Sequence, residues 1–154
     1  MPVDISAKRA CLFLALLLIF VSLGIVEARQ LFLNVYVDNT NDKKVLVVGN
    51  VDDPVGLAFL NSSEHIYEEN GQLYAVTDSL LEKEDQGWKL KLPLSGYYDE
   101  YHAVFYVPGS FELKEINCSK GLEFLSSSYN GSIVLDVQGF DLTDPEVSLS
   151  YQAA

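Results

Sequence analysis

The sequence predicts an all-β protein: an antiparallel β-sandwich of about eight to ten short strands, preceded by an N-terminal signal peptide or signal-anchor helix. Three observations lead there. Alternating apolar and polar residues, as in Trp88, Leu90 and Leu92 around Lys89 and Lys91, recur throughout the chain beyond residue 30. Gly, Pro, Asn and Asp punctuate these runs at intervals of roughly 8 to 12 residues, and helical periodicity is nearly absent. One unbroken apolar stretch, residues 10–26, stands apart at the N-terminus.

That stretch, ACLFLALLLIFVSLGIV, follows Lys8 and Arg9 and leads into Val26, Glu27 and Ala28, small-residue spacing that suits cleavage before Arg29. Its length also approaches the roughly 20 apolar residues that span a bilayer. Residues 1–28 are therefore read as a signal peptide or signal anchor, and residues 29–154 as one extracytoplasmic domain. Basic residues resist translocation, so Lys8 and Arg9 stay inside and the domain lies outside in either case. It is secreted, or anchored to the cell membrane through residues 10–26 alone.

The strand pattern begins with Leu31, Leu33, Val35 and Val37, and a second apolar run over residues 45–51 ends at Asp52, Asp53 and Pro54. These two runs are expected to pair as a hairpin. Around Asn70 and Gly71 a two-residue type I′ turn is expected, setting Glu69 opposite Gln72 and Tyr67 opposite Tyr74. Residues 79–83 suggest a short helical turn. Trp88, Leu90 and Leu92 form the clearest half-buried strand, with the indole in the core. Residues 96–100 read as a tyrosine-rich acidic loop, and residues 101–107, apolar on both faces, as a central strand stopped by Pro108 and Gly109. Residues 111–117 and 122–126 are further strands; Asn130 and Gly131 repeat the hairpin signal before Ile133, Leu135 and Val137. Val147, Leu149 and Tyr151 make a closing strand.

The order of residues 56–60 (GLAFL), residues 73–77 (LYAVT), Trp88, residues 101–108 and residues 147–151 resembles β-rich extracytoplasmic surface domains of methanogenic and related archaea. The resemblance covers most of residues 31–151 and rests on structural motifs. In some such proteins a transmembrane helix, and sometimes a cytoplasmic winged helix-turn-helix, follows the domain, so the resemblance implies a sensor ectodomain. This sequence departs from that pattern by ending at Ala154, and it carries over no catalytic residues.

Charge and composition narrow the chemistry. The net charge is −12, and residues 29–154 retain 8 basic against 20 acidic residues, which excludes phosphate-neutralising contacts to nucleic acid. Cys118 is the one thiol beyond residue 28, so no internal disulfide can form; it is either a buried apolar residue or a link between chains. Asn61, Asn117 and Asn130 each begin an N-x-S/T sequon and are candidate glycosylation sites. Asp38, Thr40 and Asp42 have the spacing of a calcium loop, but the sixth position is Lys43 and the twelfth Gly49, so no metal or cofactor is expected. His65 and His102 complete no zinc set, and neither lies near a nucleophile elbow. Tyr97, Tyr98 and Tyr101 are candidates for an aromatic binding surface, or alternatively cap the core beneath a loop. The expected function is a non-enzymatic binding or sensor ectodomain for a protein or glycan at the cell surface. A structural or assembly role in the envelope is the alternative, ahead of a carboxylate-dependent hydrolase. The oligomeric state is left open.

Overall fold

The computed structural model describes residues 28–38 and 43–154. The signal or anchor segment lies outside the described residues apart from Ala28, and so do Thr40 and Asp42 of the calcium-like loop. The all-β class is as expected, with two stacked sheets. The larger sheet contains β1 (Gln30–Val37), β2 (Val45–Val51), β3 (Glu64–Tyr67), β4 (Gln72–Thr77), β7 (Tyr97–Pro108), β9 (Glu123–Tyr129) and β10 (Ser132–Thr143). The smaller holds β5 (Leu81–Glu84), β6 (Gly87–Pro93), β8 (Phe111–Cys118) and β11 (Glu146–Ala153). The seven-stranded order is β3-β4-β2-β1-β7-β10-β9, and the four-stranded order β5-β6-β11-β8.

Alternation builds the core. Leu33 and Val35 of β1 stand beside Val47 and Ala75 on one side and Ala103 and Phe105 on the other. They pack against Leu90, Leu92, Val147 and Leu149 of the smaller sheet. All of these are buried. Each leucine withdrawn from water in this way contributes roughly 1.5–3 kcal/mol before the entropy of ordering is counted.

Several expectations are corrected. Eleven strands form among the described residues, not eight to ten, because residues 81–84 pair with β6 instead of making a helical turn. Leu81 lies opposite Leu90 and Lys83 opposite Trp88, and this pairing outweighs a weak local helical preference. The sandwich is not wholly antiparallel, since β1 and β7 run parallel. Residues 97–100 are the start of β7, not a loop: β1 and β10 flank them, pairing Gln30 with Glu100 and Thr143 with Tyr97.

The first hairpin turn is also different. Glu68 N–H donates to the Gln72 carbonyl at 2.9 Å and Gly71 N–H to the Glu68 carbonyl at 2.9 Å, so the loop has three residues and ends in Gly71 at φ +86°. Tyr67 then lies opposite Leu73, not Tyr74. A one-residue slip exchanges the faces of a strand, and it turns Tyr67 inward, where its hydroxyl donates to the Val51 carbonyl at 2.8 Å. The second signal behaves as expected: Asn130 and Gly131 have φ of 49° and 76°, and Tyr129 pairs with Ser132. Trp88 is half-buried against the core, with the Lys43 ammonium 4.6 Å from its ring centre.

Candidate functional site

The outer faces of the two sheets differ in chemistry. On the smaller sheet, Glu82, Lys89, Ser150 and Glu115 form one cross-strand row, and Lys91, Ser148 and Asn117 the next. This is the polar surface expected of a sheet with one face in water. The larger sheet breaks that rule. Its register aligns Val76, Leu46, Tyr36, Tyr106 and Val134 across β4, β2, β1, β7 and β10. The adjoining row runs Ile66, Tyr74, Val48, Asn34, Val104, Asp136 and Leu125.

Neighbouring rings on this face hold one another upright. Tyr36 and Tyr106 stack with centroids 4.6 Å apart and planes 11° apart. Phe32 meets the His102 ring edge-on at 4.7 Å. Despite this mutual cover, Phe32, Tyr36 and Tyr74 remain 41%, 39% and 51% exposed. At one end, Gln30, Phe32, Asn50, Asp52, Glu100 and His102 line a shallow hollow of about 230 Å³. His102 Nε2 lies 2.8 Å from Asp136 Oδ1, and the Gln138 side-chain amide donates to the same oxygen at 3.0 Å. The imidazole is thus tied across strands, from β7 to β10. Carboxylates rim the apolar rows, with Lys44 at the far end beside Tyr36 and Leu46.

The residues singled out from the sequence fall elsewhere. Tyr98 and Tyr101 are 0% and 1% exposed, so the proposed aromatic surface is corrected: both rings belong to the core. Strict alternation sets residues three apart on opposite faces. Here Asp141 on the neighbouring strand adopts φ 52°, the Asp99–Asp141 pair drops out of the ladder, and both rings turn inward. Tyr97 remains half-exposed and donates to Asp141 Oδ1 at 2.6 Å, a bond that pushes its hydroxyl pKa up to about 12. Burial pushes the Tyr101 hydroxyl higher still, and its oxygen has no hydrogen-bond partner among the described residues.

Asn61 sits in a short 3₁₀ turn, Asn117 on β8 and Asn130 in the β9–β10 turn, and all three are exposed. Cys118 is half-buried against the core, and burial raises its thiol pKa. His65 is exposed at the β3 edge, apart from His102 on β7. Among the described residues no His, Cys, Asp and Glu group is placed to hold a metal, and no helix is long and apolar enough to cross a membrane. Sequence reasoning missed the outer face because Leu46, Val48, Val76, Val104 and Val134 look like core residues of strands buried on both sides. Only the layer count distinguishes the two cases.

Comparison with protein-family models, with curated proteins and with solved structures finds no match to this chain.

Proposed function

We propose that this chain is a non-enzymatic extracytoplasmic binding domain, with a sensor ectodomain as its subtype, and that the outer face of the larger sheet is its binding surface. The observation that carries the reading is the apolar row Val76, Leu46, Tyr36, Tyr106 and Val134 on a face that no second layer of strands covers among the described residues. Contiguous apolar area on one face, rimmed by polar groups, is how soluble domains present partner sites. The partner is a protein surface with apolar contacts and basic groups at its edge. Glu100, Asp136, Asp52 and Glu123 supply the complementary charge, and the chain's −12 strengthens long-range attraction.

A photo-crosslinking phenylalanine analogue at position 36, displayed on native cells, tests this. Capture of a discrete partner from position 36 but not from position 115, on the polar face of the smaller sheet, is the expected result. Capture must also disappear in a Leu46→Thr/Tyr106→Thr variant that keeps its melting temperature within a few degrees. Equal capture from both positions, or none from position 36, overturns the proposal.

A further inference from the structure

Each sheet has two edge strands, and three of the four are guarded by charge. β3 carries Glu64 and leads into Glu68 and Glu69; β5 carries Glu82, Lys83 and Glu84; β8 carries Glu112, Lys114 and Glu115. Charged side chains on an edge oppose pairing with another chain. β9 is the exception. All seven of its residues are exposed, among the described residues no strand lies beside its far edge, and from Phe124 to Tyr129 it bears no charge and no proline. Leu125 and Tyr129 are largely in water.

We propose that β9 pairs antiparallel with β9 of a second copy of this chain, joining two seven-stranded sheets through a two-fold axis at Ser126. The occupant follows from charge and shape. In a molecule of net charge −12, a second copy can approach closely only along an uncharged strip, and among the described edge strands β9 is the one that offers it. The strand is also self-complementary. With Ser126 opposite Ser126, Phe124 faces Ser128 of the second copy, Leu125 faces Ser127, and Glu123 faces Tyr129. Phe124 and Leu125 thus each meet a serine, Glu123 meets Tyr129, and the two glutamates end up at opposite ends of the seam.

The backbone selects the same register. A two-residue turn makes Tyr129 and Ser132 a hydrogen-bonded pair, so Ser127, Leu125 and Glu123 also spend their backbone groups on β10. Ser128, Ser126 and Phe124 turn theirs to the open edge. Pairing of Ser126 with Ser126 and of Phe124 with Ser128 joins outward groups to outward groups. It is also the two-fold register that matches all seven residues of the strand. An isologous contact of this kind closes at two copies, because it consumes the only unguarded edge among the described strands. The pairing does not rest on the outer-face reading above: it takes up Glu123 and Leu125 at the rim of that face and leaves the central row at Tyr36 and Tyr106 free.

One strand pair is a small interface, so the dissociation constant is expected between about 10 µM and 1 mM. The test is sedimentation equilibrium of the protein as isolated, density-matched in detergent if it retains residues 1–28. Dimerisation within that range is expected, weakened at least about tenfold by Ser126→Lys, which opposes two like charges at the axis. A second measurement does not depend on that variant folding. Under mild oxidation Ser126→Cys should cross-link two copies, because a directly opposed pair has Cα atoms about 5.5 Å apart. Ser128→Cys should not, its two copies lying about 13 Å apart along the seam. A chain monomeric throughout the range, a dimer indifferent to Ser126→Lys, or equal cross-linking from positions 126 and 128 overturns the proposal. So does a monomer whose β9 captures a strand of a different protein.

Discussion

Replacing Tyr101 by phenylalanine should make this protein more stable. The ring is 1% exposed and fills the core beside Tyr98 and Cys118, yet its hydroxyl oxygen has no hydrogen-bond partner among the described residues. A hydroxyl that leaves water without a new bond costs about 1–3 kcal/mol, and phenylalanine removes that cost while keeping the packing of the ring. Allowing for partial relaxation, the expected gain is about 1 kcal/mol. For a domain of this size that is roughly 3–5 °C in melting temperature. Tyr98→Phe is the internal control: that hydroxyl donates to the Ser95 carbonyl at 3.3 Å, so its loss should cost about 0.5–1 kcal/mol. The assay is urea unfolding followed by the fluorescence of Trp88, the single tryptophan, which is packed against the same core. A loss of more than about 0.5 kcal/mol in Tyr101→Phe would show that the hydroxyl is bonded and that the argument is wrong.

Alkaline pH should destabilise the fold through the same buried phenols. Burial pushes Tyr151 up to about 12 and raises Tyr98 and Tyr101 as well, so above the ordinary tyrosine value of about 10 the unfolded chain releases protons that the folded one keeps. Stability from this source is complete below pH of about 10 and falls as pH rises toward 12, by up to about 1.4 kcal/mol per unit for each such tyrosine. Urea midpoints at increasing pH should show it, with a shallower fall in Tyr151→Phe; midpoints flat to about pH 11.5 would contradict it. Intact masses of protein from native cells should carry glycan increments at the exposed Asn61, Asn117 and Asn130. Asn61→Gln, Asn117→Gln and Ser132→Ala should each remove one, the last sparing the left-handed turn residue Asn130; unchanged masses would exclude attachment.

Legibility followed the range of the interaction involved. The Asn130–Gly131 turn could be read from two adjacent residues because both must adopt positive φ, and no distant contact competes with that demand. The Asn70–Gly71 turn carries the same dipeptide but takes a three-residue loop. There Tyr67 gains a buried place and a bond to Val51 only if the register slips by one. A local propensity worth a few tenths of a kcal/mol gives way to the burial of an aromatic ring. Strand β5 was hidden for a similar reason: four residues with three charges have no intrinsic reason to extend until β6 lies beside them.

By itself, the sequence determined the all-β class, the approximate order of strands, the acidic charge and the positions of three sequons. Each follows from neighbours a few positions apart, through alternation, turn chemistry and charge. The tertiary structure alone decided which apolar residues are core and which are surface. Leu46, Val48 and Val134 belong to the same kind of β-rich apolar run as Val47 and Leu135. They differ only in which way they point on a seven-stranded sheet that has a second layer on one side. It also decided that Tyr98 and Tyr101 share a face, through a backbone irregularity at Asp141, 43 and 40 positions away, and that β9 ends a sheet with no described strand beside it. Side-chain direction along a strand is local, but the number of layers and the order of strands are properties of the whole chain.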